Sequence, residues 1–264
     1  MPYLDNALSG PAGPAPAAFA HRGFSPAGLE NSMAAFRAAV EMGYCYLETD
    51  VRSSADGVLM VFHDATLDRI TDATGPISAR TAAQLRQVRI GGAEPIPTME
   101  ELLAEWPDVK LNVDVKDKAG SALLAELIER HSAHDRVLVT SFSDRRRLAV
   151  FRTLSRPAAS SGGVVSLTAL AALGRLGLSR TLGRAARMQA VQVPVSYRRY
   201  PVVTPAFVRR CHRAGLAVHV WTVNERQEMD RLLDLGVDGI MTDRADLLAE
   251  AMQERGFWPQ RVQP

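Results

Sequence analysis

The sequence predicts an α/β fold, a (β/α)8 TIM barrel with a short insertion after a β-hairpin at the second strand. Runs rich in Val, Ile and Leu alternate with longer segments of helical periodicity, as expected of β/α units around a parallel sheet. There are eight such runs, the number that closes a barrel. Charged residues near the C-terminal ends of several strands occupy the positions where such barrels carry their functional sites.

The eight candidate strands are mostly apolar, as expected of strands that are covered on both faces. They span residues 17–21, 44–51, 110–116, 137–142, 158–161, 190–194, 217–223 and 238–242. A helix is predicted after each strand, and the starting points are Ser32, Thr98, Gly120, Asp144, Leu167, Pro205, Glu225 and Arg244. The second of these helices is reached only after a long excursion.

A further strand, residues 58–62, cannot continue the parallel pattern. Only about six residues separate it from the second strand, whereas a parallel crossover needs a dozen or more. We expect an antiparallel hairpin that turns near Asp56 and Gly57 and places His63 roughly opposite Asp50. The next segment, residues 65–97, is rich in turn residues and is predicted to be an insertion over the barrel mouth.

The domain prediction is a single (β/α)8 unit. A chain of 264 residues suits one large domain, and we find no internal repeat. We assign residues 17–256 to the barrel, residues 1–16 to a flexible N-terminal arm and residues 257–264 to a C-terminal tail.

The sequence also predicts a soluble, cytoplasmic protein. The N-terminal arm lacks the basic and apolar parts of a secretory signal, and no apolar run reaches the roughly 18 residues of a membrane span. Cys45 and Cys211 lie in apolar segments, where we expect buried thiols and neither a disulfide nor a metal site.

The basic residues are unevenly distributed. Between Arg136 and Arg213 there are fifteen arginines and a single carboxylate, Asp144. Peripheral contact with anionic lipid or with phosphorylated substrates would account for this excess, and so would a solvated surface rich in arginine. We expect no nucleic-acid partner.

Polar side chains interrupt the apolar pattern on three strands. Glu48 and Asp50 are two residues apart and therefore share one face of the second strand. Asp114 and Lys116 share a face of the third strand in the same way, and the first strand ends in His21. Because all these groups lie toward C-terminal strand ends, we expect them to converge at one rim of the barrel.

The converging carboxylates predict a cation. Glu48, Asp50 and Asp114 would repel one another, and burial would force their protonation unless positive charge compensated them. One divalent ion is the simplest solution, and an all-oxygen ligand set suits Mg²⁺ or Ca²⁺ better than zinc. The alternative is a buried ion-pair network with Arg22 and Lys116.

The remaining polar residues suit a phosphate group. Arg22 and Lys116 can hold the non-bridging oxygens, while the imidazoles of His21 and His63 can move protons near neutral pH. Two histidines beside a group of carboxylates indicate phosphoryl transfer more strongly than a structural role.

These residues stand in segments that resemble the glycerophosphodiester phosphodiesterase family. The segments are AHRGFSPAGLENSMAAF, YLETDV, VLMVFHDATLDRIT, PIPTMEELL, LNVDVK, VHVWTVNE and GIMTDRADLL. The resemblance covers nearly all of the chain from Phe19 to Leu248. It implies that His21 and His63 are the acid/base pair. By the same matching, the metal ligands would be Glu48, Asp50 and Asp114, and the phosphate-binding residues Arg22 and Lys116.

Two positions depart from the family pattern. Asp114 stands where many relatives have Glu, which shortens the reach to the metal by one methylene group. Ala245 stands where a Pro is usual, and either residue is acceptable at the start of a helix.

Several other residues carry alternative interpretations. Asn31 or Ser32 is well placed to cap the helix that follows, whereas Glu30 can orient His21 or the metal shell. Trp221 lies beside the substrate if the resemblance holds and otherwise fills the core. His219 is expected in the core, and the surface histidines are predicted to be His131, His134 and His212.

The predicted function is metal-dependent hydrolysis of glycerophosphodiesters to glycerol 3-phosphate and an alcohol. The segment from Leu167 to Arg187 combines leucines, alanines and arginines and would suit an acyl chain, so a lysophospholipase D-like reaction at the same site is the alternative. A glycoside hydrolase with paired carboxylates and an inactive phosphate-binding barrel are more distant alternatives.

Overall fold

Eight parallel strands lie side by side in one curved sheet, which confirms the predicted barrel. The computed structural model describes residues 1–5, 9–10 and 13–261. The strands of the sheet are β1 (Ala17–His21), β2 (Tyr46–Ser53), the antiparallel β3 (Leu59–Val61), β4 (Lys110–Val115), β5 (Val137–Thr140), β6 (Ala159–Ser160), β7 (Ala190–Pro194), β8 (Ala217–Trp221) and β9 (Gly239–Thr242).

The parallel strands follow the order β6-β5-β4-β2-β1-β9-β8-β7 around the sheet. The two ends of this path meet at an isolated parallel bridge between Ser161 and Ala190. There the backbone N–H of Gln189 also donates to the carbonyl of Ser160 at 2.9 Å. The barrel is therefore nearly closed, and β1 lies between β2 and β9.

Helices cover the outside of the sheet. They are α1 (Met33–Met42), α2 (Ala82–Leu85), α3 (Met99–Glu105), α4 (Gly120–Arg130), α5 (Asp144–Val150), α6 (Val164–Leu173), α7 (Ser179–Ala185), α8 (Pro205–Ala214), α9 (Arg226–Leu235) and α10 (Ala245–Glu254). Short 3-10 turns occur at Pro2–Leu4, Ile77–Ala79, Ala133–Asp135 and Gly174–Leu176.

Local sequence sets several helix ends. The Ser32 side chain accepts a hydrogen bond from the N–H of Ala35, so Ser32 caps α1. Thr98 and Glu101 form a reciprocal capping box at the start of α3. Gly43 ends α1 in the left-handed conformation that glycine adopts without steric cost.

The region predicted as one helix from Leu167 is divided in two. Helix α6 begins at Val164 and ends before the 3-10 turn Gly174–Leu176, and α7 starts again at Ser179. Gly177, in the left-handed region at φ +82°, separates the two helices. Glycine is the residue that both breaks a helix and tolerates this conformation.

The β2–β3 hairpin forms as predicted, but its register differs by one residue. Val51 pairs with Val61, and the N–H of Phe62 donates to the carbonyl of Asp50 at 2.9 Å. Asp50 therefore lies opposite Phe62, and His63 comes one position later than predicted. The strand β2 also runs to Ser53, two residues beyond its predicted end, because pairing with β3 continues there.

The main core lies between the sheet and the helices, and a smaller one fills the barrel interior. The interior core contains Phe19, Tyr46 and Met241, with Tyr3 packed below them. His219 is 2% exposed, and its ring centroid lies 4.9 Å from that of Phe19, which confirms its prediction as a core residue.

Residues 65–97 pack around a third apolar cluster. Its members include Phe62, Leu67, Ile77 and Leu85. The predicted extents of the N-terminal arm, the insertion and the tail stay predictions, and residues 6–8, 11–12 and 262–264 of these segments lie outside the described part.

One histidine prediction is wrong. His134 was expected at the surface but is 3% exposed, because the 3-10 turn Ala133–Asp135 directs it inward, where its Nε2 lies 3.1 Å from Glu129 Oε1. His212 is exposed and His131 is half-buried.

Cys45 and Cys211 are free thiols. In the part of the chain that the structure describes, no helix has the length and apolar character to cross a membrane.

Candidate active site

The polar residues singled out in the sequence line one cavity at the C-terminal ends of the strands. This cavity, of about 790 Å³, is called the barrel cavity below. Its polar lining includes His21, Arg22, Glu48, Asp50, His63, Asp114 and Lys116. Trp221 is half-buried on the opposite, largely apolar wall.

Strand register brings the charged groups together. His21 on β1 is paired with Glu48 on β2, and Asp50 is paired with Asp114 on β4. Side chains of directly paired residues on neighbouring strands lie close together on the same face. The convergence predicted from strand ends is therefore a direct result of this register.

Asp50 is the centre of a buried ion-pair network. Lys116 Nζ lies 2.8 Å from its Oδ1 and 2.7 Å from Asp114 Oδ2, and Arg22 Nε lies 3.0 Å from its Oδ2. Burial alone would raise the pKa of Asp50, but Lys116 and Arg22 outweigh burial and lower it. These contacts form the ion-pair network with Arg22 and Lys116 that the sequence left open as the alternative to a divalent ion.

Glu30 and Asn31 support this network. The Asn31 side-chain amide donates to Asp50 Oδ2 at 3.1 Å and accepts from Thr49 Oγ1 at 2.8 Å. Glu30 accepts from Arg22 at 2.9 Å. Asn31 therefore orients Asp50 and Glu30 orients Arg22, whereas Ser32 serves as the helix cap.

The turn after β1 fixes the direction of Arg22. Gly23 has φ +84°, and a Cβ at this position would lie 2.6 Å from the backbone carbon of Ala35. Only glycine fits against helix α1 at this distance. The His-Arg-Gly sequence thus combines two cavity residues with the turn that places them.

His21 is held between two carboxylates. Its Nδ1 lies 2.6 Å from Asp243 Oδ1, and its Nε2 lies 3.7 Å from Glu48 Oε2. Burial alone would lower the pKa of His21, but Glu48 and Asp243 together raise it above its ordinary value. The contact with Asp243 fixes the ring and leaves Nε2 on the Glu48 side.

His63 has a similar arrangement on the other side of the site. Its Nδ1 lies 2.6 Å from Asp64 Oδ1, while Arg69 holds the second oxygen of Asp64 at 2.5 Å. Arg52 donates to the His63 carbonyl at 2.8 Å. Arg69 also binds Glu30 at 2.6 Å and so connects the His63 side of the site to Arg22.

Glu48 and Asp114 have less compensation than Asp50. Burial and the neighbouring Asp50 raise the pKa of Glu48 to about 7, and burial raises the pKa of Asp114. Asp114 Oδ1 is buried and has no hydrogen-bond partner. A buried oxygen without a partner is costly, so this end of the site can accept a further cation or donor.

The donor chemistry fits a hard divalent cation. Glu48, Asp50 and Asp114 offer carboxylate oxygens only, which Mg²⁺ and Ca²⁺ prefer. As the side chains stand, however, no group of three or more His, Cys, Asp or Glu residues is arranged to hold a metal ion in the described ranges 1–5, 9–10 and 13–261. Lys116 bridges Asp50 and Asp114 in that arrangement.

The other half of the barrel cavity is apolar. Phe142 connects the two halves, because Lys116 Nζ lies 5.6 Å from its ring centroid and the Trp221 ring lies 5.9 Å away on the other side. Beyond these rings the lining includes Leu167, Val193, Tyr197, Tyr200, Val202 and Phe207. A ligand can therefore place a charged group beside Lys116 and an apolar group against α6 and α8.

Comparison with known proteins decides the family. Residues 21–247 match the glycerophosphoryl diester phosphodiesterase family. The chain belongs to this family. It is similar to a Mycobacterium tuberculosis protein named probable glycerophosphodiester phosphodiesterase 2, with 42% identity over 91% of this chain and 92% of that protein. A glycerophosphodiester phosphodiesterase of Caldanaerobacter subterraneus is 29% identical over 90% of this chain and 98% of its own.

Solved structures of this family have the same fold. A glycerophosphodiester phosphodiesterase from Agrobacterium tumefaciens matches with a TM-score of 0.75 at 25% identity, over 89% of this chain and 99% of its own. An Oleispira antarctica phosphodiesterase, solved with the product sn-glycerol-3-phosphate, matches with a TM-score of 0.75 at 23% identity, over 90% and 97% of the two chains. Because the family match and the 42% identical relative name this activity, the chain is an enzyme, a phosphoric diester hydrolase.

Some residues of this candidate site were not predicted from the sequence. Asp243 and Asp64 hold the two histidines, and Phe142 lies between Lys116 and Trp221 in the cavity. Asp243 directly follows β9, and β9 pairs with β1, so the closed strand order was the signal that could have placed it beside His21. Asp64 directly follows His63, but aspartate in a loop is too common to indicate a function on its own.

Proposed function

We propose that the barrel cavity hydrolyses glycerophosphodiesters to glycerol 3-phosphate and an alcohol, by acid/base catalysis with His21 and His63. The observation that carries the proposal is the matched environment of the two imidazoles. Each has Nδ1 at 2.6 Å from an aspartate, so that Nε2 is the nitrogen left for proton transfer. Arg22 and Lys116 line the same cavity and supply cations for the phosphate oxygens.

In this proposal His21 is the general base and His63 is the general acid. His21 removes a proton from the attacking oxygen, and Asp243 stabilises the imidazolium that forms. His63 protonates the departing alcohol, and Asp64 keeps its ring in place. The attacking oxygen belongs to water or to the neighbouring hydroxyl of the glycerol, and trapping of a cyclic phosphate distinguishes the two.

We also propose a divalent cation, Mg²⁺ or Ca²⁺, that Glu48, Asp50 and Asp114 would hold. Enzymes of this family generally use a divalent metal. The unpartnered Oδ1 of Asp114 and the raised pKa of Glu48 support an additional positive charge here. When bound, such an ion supplies charge stabilisation to the phosphate and lowers the pKa of the nucleophile. Loss of activity with a chelator and its recovery with Mg²⁺ or Ca²⁺ tests this part of the proposal.

Two substrates with different leaving groups test the histidine roles. Glycerophosphocholine has a strongly basic leaving alkoxide that needs protonation, whereas the p-nitrophenyl ester of glycerol phosphate has a weakly basic one. We expect His63→Ala to lose roughly 100-fold or more in kcat on glycerophosphocholine but less than about tenfold on the p-nitrophenyl ester. His21→Ala should lose activity on both substrates.

The matched control is His131→Ala, because His131 lies on the outside of the barrel and is paired with Glu100. If His21→Ala is impaired mainly on glycerophosphocholine and His63→Ala is impaired on both substrates, the acid and base roles are exchanged. Near-normal hydrolysis of glycerophosphocholine by either His21→Ala or His63→Ala would contradict the proposed catalysis altogether.

A lysophospholipase D-like reaction is the second candidate, and the apolar half of the cavity supports it. Leu167, Val193, Val202 and Phe207 offer a surface on which an acyl chain can be buried, at about 0.8 kcal/mol per methylene group. Glycerophosphocholine has no acyl chain to bury on this surface. Comparison of kcat/KM for lysophosphatidylcholine with kcat/KM for glycerophosphocholine decides between the two reactions. The variant Leu167→Asp should lower kcat/KM for lysophosphatidylcholine and leave that for glycerophosphocholine unchanged.

The expected partners follow from this chemistry. The substrate is a small phosphodiester, and its hydrolysis belongs to the metabolism of lipid-derived glycerol. Peripheral contact with anionic lipid is part of the proposal and is supported by the arginine-rich segment between Asp144 and Glu225.

The free thiols Cys45 and Cys211 support a reducing, cytoplasmic location. The family match favours this function over a glycoside hydrolase or an inactive barrel.

A further inference from the structure

A second cavity lies next to the barrel cavity and has a different lining. Its volume is about 880 Å³, and we call it the arginine pocket. Among the described residues, its lining contains Ser179, Thr204 and four arginines but no Asp or Glu; the arginines are Arg175, Arg180, Arg210 and Arg213. Three apolar residues, Ala171, Val202 and Phe207, line both cavities and separate them.

In the part of the chain that the structure describes, no carboxylate compensates the positive charge of the arginine pocket, although the Arg210 guanidinium lies 5.5 Å from the Phe207 ring centroid. The sequence contains no Asp or Glu between Asp144 and Glu225, and Asp144 itself is paired with Arg147. Among the described residues, the four arginines form no ion pair, although Arg180 donates to the carbonyl of Arg213 at 3.0 Å. Like charges that share one cavity repel, so an anion in the pocket would stabilise this arrangement.

The arginine pocket also contains an unsatisfied donor. Arg210 Nε is buried and has no hydrogen-bond partner. A Cβ at Gly174 would lie 2.7 Å from Ser179 Oγ and 3.3 Å from Arg210 Nε, so the chain passes close to this guanidinium without a side chain between them. Guanidinium groups bind phosphate oxygens with particularly good geometry.

Large apolar side chains are exposed at the edge of the same pocket. Leu176 is 73% exposed, Leu178 is 42% exposed and Leu173 is 41% exposed. Leu173 is the last residue of α6, and Leu176 and Leu178 follow in the segment that joins α6 to α7, so the three leucines flank Arg175 in the sequence. Apolar side chains among cations in this way are typical of surfaces that lie in the interface of an anionic membrane. A free phosphate ion would use the arginines but would leave the leucines without a function.

We propose that the arginine pocket binds the phosphate of an anionic lipid headgroup while Leu173, Leu176 and Leu178 enter the bilayer surface. This goes beyond the hydrolytic reaction and does not depend on it. Because Ala171, Val202 and Phe207 belong to both cavities, lipid bound in the pocket would hold α6 and α8, which form the apolar wall of the barrel cavity, at the membrane.

Vesicle binding tests the proposal. Wild-type protein should co-sediment with vesicles that contain equal parts of phosphatidylglycerol and phosphatidylcholine and much less with phosphatidylcholine alone. Near a membrane each arginine contributes about 1 kcal/mol, so the double variant Arg175→Gln, Arg180→Gln should weaken binding by roughly 30-fold. High salt should remove most of this difference, because salt screens the attraction between the arginines and the anionic lipid.

Two further variants separate charge from apolar contact. As a control, Arg231→Gln removes one arginine charge from an exposed site on α9, where Arg231 is paired with Glu228, and should leave binding within about twofold. The double variant Leu176→Ser, Leu178→Ser should weaken binding to the same vesicles at low and at high salt. Equal binding by wild type and the Arg175, Arg180 double variant would overturn the proposal.

An arm with inorganic phosphate distinguishes the source of the anion. If phosphate binds the wild type and not the Arg175, Arg180 double variant, while vesicles bind neither, the ligand is a free phosphate and the membrane proposal is wrong. Hydrolysis of glycerophosphocholine should be unchanged in the arginine and leucine variants, and His63→Ala should retain vesicle binding. Failure of catalysis and failure of membrane binding are therefore observed separately.

Discussion

The buried His219 should make folding sensitive to mild acid. Burial lowers the pKa of His219 to about 4 from an ordinary value of 6.5, although Asp238 offsets part of the effect. Its surroundings do not suit a charged imidazolium, because its nearest polar contact is Gln192 Nε2 at 3.5 Å from Nδ1 and its ring packs on Phe19.

The sign and size of the effect follow from linkage. A pKa that is lower in the folded protein means that the unfolded chain binds the proton more readily, so stability is lost as the pH falls from about 6.5 toward 4. Complete protonation would cost about 3.4 kcal/mol. Between pH 7.5 and pH 5 the expected loss from this one residue is about 2 kcal/mol, and above pH 7.5 the contribution is constant.

Urea unfolding of the wild type and of His219→Leu at pH 7.5 and pH 5 measures this loss. The replacement has its own packing cost, but that cost is the same at both pH values and drops out of the comparison. The wild type should lose about 2 kcal/mol more than the variant, and the His131→Gln control should follow the wild type. An equal loss in wild type and His219→Leu would refute the reasoning.

Three further outcomes are expected. Asp243→Asn should lower kcat on glycerophosphocholine roughly 100-fold with little change in KM and have almost no further effect in a His21→Ala background, where additive losses would contradict the contact. Asp114→Glu should lower the Mg²⁺ or Ca²⁺ concentration for half-maximal activity, and an unchanged value would count against Asp114 as a ligand. Arg147→Met should lower the urea-derived unfolding free energy by about 3 kcal/mol because it removes the guanidinium from the buried Ser160 hydroxyl and the half-buried Asp144 carboxylate; a loss near zero would contradict this.

The barrel and most of its cavity were predictable because charge is rare on covered strands. Glu48, Asp50 and Asp114 interrupt apolar runs, and burial of such groups requires a compensating arrangement. The spacing of two residues between Glu48 and Asp50 places both on one face of their strand without any knowledge of the fold. The strand β1 and its end at His21 were predictable because His21 follows directly after an apolar run.

The details that were missed depend on distances that local patterns do not contain. The register of the β2–β3 hairpin depends on how tightly its turn closes, where Ser54 N–H donates to the Val58 carbonyl at 2.9 Å. The burial of His134 depends on a 3-10 turn. The division between α6 and α7 depends on Gly177, which in a sequence is equally compatible with a tolerated helix glycine.

The two aspartates that hold the histidines lie at very different distances from them in the sequence, and this difference shows how the site depends on the fold. Asp64 is adjacent to His63 in the sequence, so their contact can form as soon as the β2–β3 hairpin is in place. Asp243 is separated from His21 by 222 positions and reaches it only because β9 pairs with β1. One imidazole is thus oriented by local structure and the other by closure of the barrel, so a variant that weakens the β1–β9 pairing should impair the base more than the acid.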